Sequence, residues 1–434
     1  MNAELAALEW SGRDGFFWLD ANGRGGATRM WSYVGHSPVE RRSDEPEPTR
    51  PFEVLDGLDA ARDAGEFTHA PRWVGFVAYD AFSRSWTRSP SRHAPRSAPN
   101  VVFARYAAVL AISPEGTTFA VGDDEDAVTR LLGSLTSSLT RPGSREVTRP
   151  VVARGEATSR TAHERAIETA LEHVRAGDIY QVNLARRWTG TLEGDAFGLF
   201  WTMRTASAVP LGFFFETGHT TVAARTMETY LEIERGETTR VICRPIKGTI
   251  ARRGNDEGEA KELAADPKEH AEHVMIVDLI RNDLGRIAKL GTVRVEDLLT
   301  VEPYARLSHL VSTVVCEIED SLSLRTIVQE TFPPGSVTGT PKIRAMEIID
   351  ALEPFSRGLY CGTVGMIRRD GGALFAVAIR TATITNRVVE YFAGGGLVAA
   401  SDPAKEVAET ELKARVFFDA CGTEASAFEE RDDA

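Results

Sequence analysis

Apolar runs of strand length recur from one end of this chain to the other, yet never in the strand–helix–strand rhythm that builds a parallel sheet. Before residue 150 the runs are short and alternating. Residues 15–20, 73–79 and 101–112 are predicted as strands of an antiparallel sheet. After residue 150 strands and long helices are interspersed. Ser159 or Thr161 can cap a helix whose Ala162, Ala166, Ile167, Ala170, Leu171 and Val174 share one face, and Gly177-Asp178 ends it. Residues 179–188 then read as a strand, 267–286 as a long helix and 388–392 as a last strand. That strand meets Gly394-Gly395-Gly396, expected as a turn, and 404–421 closes the chain as a helix. This pattern predicts an α+β fold.

Two stretches interrupt it. Residues 83–99 are rich in Ser, Pro and Arg. Arg84, Arg88, Arg92 and Arg96 are evenly spaced, but Pro90, Pro95 and Pro99 forbid a continuous helix, so a mobile surface loop is expected. Residues 133–150 have little apolar content and mark the expected boundary between a β-rich part, 1–150, and a larger part, 151–425. Residues 426–434 read as a disordered acidic tail.

With 434 residues the chain can bury a large core. Fifty basic against 63 acidic residues leave a net charge of -13, which argues against nucleic-acid or anionic-membrane partners. An anionic small molecule needs only a local basic pocket. No apolar run approaches the roughly 18 residues of a membrane helix. Cys243, Cys316, Cys361 and Cys421 are scattered, without metal-ligand spacing, and the N-terminal residues show no apolar h-region. Reduced thiols and a cytoplasmic location are expected.

Several small constellations can carry chemistry. Glu406, Glu409 and Lys413 fall on one face of the closing helix, and Glu269 and Glu272 lie three apart on the helix at 267–286. An exposed ion pair is the plain reading of Glu409 with Lys413. If the two helices face each other, their carboxylates suit Mg²⁺, which takes oxygen ligands. The backbone N–H groups of Gly394–Gly396 can cradle a carboxylate. Gly335 to Lys342 matches a phosphate-binding loop only loosely, because Pro341 breaks the pattern. Lys247, in Arg244-Pro-Ile-Lys-Gly-Thr249, reads alone as a surface charge. In a dry pocket beside a carboxylate a lysine can act as a nucleophile.

Taken together, these segments resemble the chorismate-utilising enzymes: the component I subunits of anthranilate and aminodeoxychorismate synthases, and the isochorismate and salicylate synthases. The resemblance rests on Ile179-Tyr-Gln-Val-Asn-Leu-Ala185, Arg244 to Thr249, Glu272 with Met275 to Arg286, and His309 to Ser312. It continues through Gly335 to Asp350, Tyr360 to Gly365, Ala378 to Arg380, Gly394 to Gly396 and Glu409 to Lys413. Before the linker the match is weaker, at 29–35 and 73–79.

The resemblance implies large antiparallel sheets packed as a sandwich with helices outside, a catalytic part at 151–425 and a possible tryptophan-binding region within 1–150. It implies that Glu272 and Glu409 hold Mg²⁺, with Glu269 and Glu406 as water-mediated neighbours. Arg380, Tyr360, Lys413 and the Gly394–Gly396 amides would bind the substrate carboxylates, with His309 and Ser336 near the ring. Water-adding members carry a lysine base where this chain has Gln181, so water addition is disfavoured. Anthranilate synthases generally have alanine where this chain has Lys247, and aminodeoxychorismate synthases have lysine. The resemblance therefore implies amination of chorismate at C4 through a covalent Lys247 intermediate, with Glu228 as general acid, in p-aminobenzoate and folate supply.

One departure bears on that role. The family's Ser-Pro-Glu-Arg-Phe is Thr226-Met-Glu-Thr-Tyr230 here, three residues further from the lysine motif. No glutaminase nucleophile is present, so ammonia is expected from a separate glutamine amidotransferase subunit. The alternatives are an anthranilate synthase with an unusual lysine and a non-catalytic chorismate or tryptophan sensor.

Overall fold

The computed structural model describes the chain apart from residues 1–2, 22–29, 45–49, 86–90, 94–97, 140–146, 207–208, 252–257, 259–260, 262, 264–266, 304–306 and 433–434. Among the described residues, strands form a twelve-stranded and a ten-stranded sheet, almost wholly antiparallel. Phe213-Phe214-Phe215 shows how they pack. Phe213 and Phe215 point inward, into a core with Val74, Phe76 and Met366 of the other sheet. Phe214 points outward, against Phe197 and Phe200 of the helix Ala196–Ala206. Strand side chains alternate faces, so a strand covered on both faces reads as an unbroken apolar run. The sheets stack as a sandwich with helices outside, the α+β architecture expected.

Sequence signals at the helix ends act as predicted. The Ser159 hydroxyl accepts from the Ala162 N–H at the start of Arg160–Ala176, and Gly177 ends that helix in the left-handed region. Asp402, not singled out in the sequence, caps Pro403–Cys421 by accepting from the Lys405 N–H. The long helix Pro267–Gly285 buries Ile276, Val277, Ile280 and Leu284 against the ten-stranded sheet.

Elsewhere the structure differs from the expectations. Residues 101–112 are two strands, Val101–Arg105 and Ala108–Ile112, in different sheets. Strands from residues 1–150 are hydrogen-bonded into both sheets beside strands from 151–434. Part of the polar stretch at 133–150 is the end of the helix Glu125–Leu139. The expected acidic tail carries a strand, Glu429–Arg431, which pairs in parallel with Val151–Thr158. Its Glu430 is drawn in by Arg186, at 3.1 Å. The proline-rich stretch begins as the end of the helix Asp80–Ser85, and Arg92 donates to the Glu353 carbonyl. Arg88 and Arg96 lie outside the described residues.

Gly394–Gly396 form no turn. They continue the strand Val388–Leu397, opposite Ala185, Leu184 and Asn183 of Gln181–Glu193, and none has a positive φ. Here glycine answers a close approach. A Cβ on Gly394 would lie 2.4 Å from the Leu184 carbonyl oxygen and 2.8 Å from the Tyr360 hydroxyl. On Gly396 it would lie 2.4 Å from Gln181 Nε2.

Candidate active site

Lys247 is aimed by its own segment. It lies in the strand Ile246–Ala251, which pairs with Leu307–Ile318. The register slips between Lys247 and Thr249, leaving Gly248 as an extra residue at φ +74. Such a bulge re-aims the neighbouring side chain, and only glycine takes that conformation without strain. Lys247 Nζ thereby donates to Glu272 Oε1 at 3.0 Å. Burial alone would lower the Lys247 pKa. The Glu272 carboxylate outweighs it, helped by Glu228 and Glu269, and the net direction is upward. In this structure Lys247 is an ammonium.

Glu228 lies where the chain crosses from one sheet to the other. The strand Thr220–Thr226 belongs to the twelve-stranded sheet and Thr229–Glu234 to the ten-stranded one. The crossover buries Glu228, and its carbonyl accepts from the Val377 N–H at 2.9 Å. Burial pushes its carboxyl up to about 7, against the opposing pull of a Ser336 hydrogen bond and the Lys247 charge. The altered sequence around Glu228 thus still delivers a buried carboxyl beside Lys247. Tyr230, at the end of the altered run, packs beneath it with its hydroxyl 2.6 Å from Thr331 Oγ1.

A second crossover carries Arg380, between Ala373–Val377 and Thr381–Thr385. Arg380 has φ 51, and its carbonyl accepts from the Arg225 N–H. Its charge reaches His309, whose buried ring is held neutral, with a pKa lowered to about 4 mainly by desolvation. Tyr360 is buried and stacked on Phe392, ring centroids 5.3 Å apart.

The glycine strand joins these groups to the closing helix. Asn183 and Ala185 send their N–H groups away from it, to the Thr338 carbonyl and the Glu353 carboxylate. Gly396 and Gly394, opposite them, therefore direct their own N–H and C=O groups to the other edge. On that edge pairing with Thr381–Thr385 stops at Tyr391, which leaves it open toward the site. Lys413 Nζ donates to the Gly394 carbonyl at 2.9 Å and pairs with Glu409 Oε1 at 2.6 Å. A Cβ on Gly395 would stand 3.0 Å from Glu406 Oε2, and one on Gly396 would stand 3.3 Å from Glu272 Oε1. The twelve residues expected at the site therefore lie around one strand end and the two crossovers, as does Glu406.

Glu272 and Glu409 are hard oxygen donors, each now facing a lysine ammonium. Among the described residues no three His, Cys, Asp or Glu side chains cluster tightly enough to hold a metal ion. Magnesium does not need such a cage. It is commonly held by one or two carboxylates together with substrate oxygens. The donor chemistry fits it.

Three contributors escaped sequence reading. His273, next to Glu272, shares a hydrogen bond with Ser312 at 2.7 Å and backs the Lys247 strand. Asn183 is buried with an unpartnered Oδ1 beside the glycine strand. Asp283 holds Lys342 Nζ at 2.7 Å behind Glu228, so the lysine of the loop that loosely matches a phosphate site is committed internally. Only the pairing of sequence-distant segments reveals them.

A family model described as chorismate binding enzyme matches residues 14–419. Aminodeoxychorismate synthase component 1 of Klebsiella aerogenes is 41% identical over 241 residues, 55% of this chain and 53% of that protein. Anthranilate synthase component 1 of Thermus thermophilus is also 41% identical, over 266 residues, 60% of this chain and 57% of that protein. The chain thus spans about half the length of the relatives it matches. Anthranilate synthase component I from Streptococcus pneumoniae superposes with a TM-score of 0.79 at 26% identity, covering 90% of this chain and 92% of that one. The menaquinone-specific isochorismate synthase from Escherichia coli shares the fold, with a TM-score of 0.69 at 18% identity, over 96% of this chain and 91% of that one. No helix among the described residues is long and apolar enough to cross a membrane. With a model match that runs through both sheets and every residue of the site, this chain belongs to the chorismate binding enzyme family.

Proposed function

We propose that this chain is the chorismate-aminating component of an aminodeoxychorismate synthase. It converts chorismate and ammonia to 4-amino-4-deoxychorismate and water. The observation that carries this choice is Lys247, held on a bulge with its Nζ beside Glu272 and within reach of the Glu228 charge. Relatives of about 40% identity include both aminodeoxychorismate and anthranilate synthases, so overall similarity does not choose between them.

The chemistry needs Lys247 as an amine and Glu228 as an acid. Moving one proton from Nζ to the Glu228 carboxyl supplies both, with no change in total charge. A carboxyl poised at about 7 is suited to that exchange. Nζ attacks C2, the ring double bond shifts, and the C4 hydroxyl leaves as water with the Glu228 proton. Ammonia then attacks C4, the double bond shifts back, and the C2–Nζ bond breaks to free Lys247. The Glu228 carboxylate takes the proton shed by the new amine and is reset.

Arg380, Tyr360, Lys413 and the Gly394 and Gly396 amides orient the two substrate carboxylates. His309, neutral, offers a hydrogen bond without repelling cations. Mg²⁺, held by Glu272 and Glu409, supplies charge neutralisation for a substrate carboxylate. Gln181 cannot deprotonate water, which supports amination over hydration. Ammonia comes from a glutamine amidotransferase subunit, in keeping with the component numbering of the relatives.

The test is incubation with chorismate, Mg²⁺ and ammonium. A product that only an added lyase converts to p-aminobenzoate supports the proposal. Fluorescent anthranilate formed without the lyase overturns it. An adduct on Lys247, found by mass spectrometry of denatured enzyme, reports the covalent step separately.

A further inference from the structure

Behind Glu228, on the side of the helix Pro267–Gly285, lies a small cavity of about 20 Å³. That is room for one water-sized molecule. Glu228 and Ser336 form its wall toward the active site. Tyr230, Cys243, Asp283 and Thr331 are among the residues that complete it, with Leu231, Ile280, Leu284 and Val377 supplying apolar surface.

We propose that this chamber holds ammonia as it approaches C4 of the substrate, and that its size admits ammonia while excluding larger amines. The inference rests on the amination reaction above, because that reaction fixes which carbon the nucleophile must reach. C4 is the carbon whose hydroxyl Glu228 protonates, so a chamber walled by Glu228 adjoins the side of the site where C4 reacts. Its charge balance selects the right species. The Asp283 carboxylate is already matched by Lys342 Nζ at 2.7 Å, and Lys342 also donates to the carbonyls of Thr331 and Pro333. Glu228, the other carboxyl of the wall, faces the Lys247 charge on its active-site side, so no unmatched charge is left to retain ammonium, and the apolar wall penalises a bare cation. Neutral ammonia, the form with a lone pair to attack, is favoured. Ser336 and the Tyr230–Thr331 hydroxyl pair supply hydrogen-bond partners.

Cys243 is the residue to change. It lines the chamber, is buried, and has no part in the substrate contacts. With ammonium and methylamine as alternative nucleophiles, the wild type should use methylamine about tenfold or more less efficiently, as one extra carbon in a tight site costs. Cys243→Ala should narrow that gap by admitting methylamine. Cys243→Leu should raise the KM for ammonium about tenfold. It should leave the chorismate KM and the rate of adduct formation on Lys247 unchanged.

A Cys243→Leu enzyme with wild-type ammonium KM, or a wild type that uses methylamine as readily as ammonium, overturns the proposal. Should the leucine variant fail to fold, the methylamine gain in Cys243→Ala decides alone, and its absence counts against the chamber. A wild type that aminates C4 without an adduct strikes at the covalent step instead, while the amine comparison still reads the chamber.

Discussion

Replacing Glu228 by Gln should make the enzyme slower and, at alkaline pH, more stable. In the folded protein the Glu228 carboxyl ionises at about 7, against 4.5 for an ordinary glutamate, chiefly because it is buried. A carboxyl with a raised pKa binds its proton more tightly folded than unfolded. Its contribution is therefore fully present below about 4.5 and is lost as pH rises through 7. The cost of carrying the charge in the fold is ~3 kcal/mol at pH 8 and under ~1 kcal/mol at pH 5. Glutamine keeps the shape and never ionises.

The denaturant midpoint of Glu228→Gln relative to wild type should therefore climb between pH 5 and pH 8, by the equivalent of roughly 2 kcal/mol. Over the same range the variant should lose about 10²–10⁴-fold in the rate of C4 hydroxyl loss, the span expected for a general acid. Single-turnover adduct formation measures that step directly. In the wild type the rate should rise tenfold per unit up to about pH 7, where the Lys247–Glu228 pair loses its first proton, and level off above it, because the reactive neutral pair is a tautomer of the charged one. A stability difference flat with pH would refute the buried carboxyl. A variant retaining more than a tenth of the wild-type rate would refute its role as acid.

Other features carry their own expectations. Gly394→Ala places a Cβ against the Leu184 carbonyl, a backbone atom that cannot yield, so loss of ~1–3 kcal/mol is expected together with weaker chorismate binding. Wild-type melting and wild-type chorismate KM in that variant would show that the strand has slack. Lys342→Met strips the buried Asp283 carboxylate of its partner and should cost ~3–5 kcal/mol, whereas the double change with Asp283→Leu should recover part of it. Additive losses in chemical denaturation would count against that pairing. Chelation should abolish amination, with recovery on adding Mg²⁺ and no shift in melting temperature. Full activity in excess chelator would remove the metal from the proposal.

Local signals in the sequence were read correctly where one segment decides the outcome. Ser159 and Gly177 set helix ends through contacts three or four residues away, and apolar runs of strand length mark strands such as Phe17–Asp20 and Pro71–Val77. Readings failed where a distant segment decides. Gly394-Gly395-Gly396 has the composition of a turn, but its glycines answer Leu184 and Gln181, Tyr360, and Glu406, which arrive from three other parts of the chain. The acidic end has the composition of a disordered tail, yet Arg186, some 240 residues earlier in sequence, draws Glu430 into a sheet. Lys247 was legible only through its neighbours in the motif, since nothing in the hexapeptide says that Glu272 will stand 3.0 Å away.

The altered run Thr226–Tyr230 shows why Glu228 tolerates a changed setting. What raises its pKa is burial, and what buries it is the passage of the chain from one sheet to the other between Thr226 and Thr229. The residues on either side need only be compatible with that crossover. Thr226 is fully buried at the end of one strand, and Tyr230 anchors the start of the next through Thr331. A proline and an arginine can therefore be exchanged for methionine and threonine without moving the carboxyl. The same logic separates the two members of the proton-sharing pair. Lys247 depends on a local device, the Gly248 bulge, and Glu228 on a global one, the sheet crossover. Gly248→Ala should then re-aim Lys247 and abolish the adduct while leaving the Glu228 titration, read from the pH dependence of stability, in place. If both were lost together, the two groups would be held by a single element, and the crossover would not be what positions the acid.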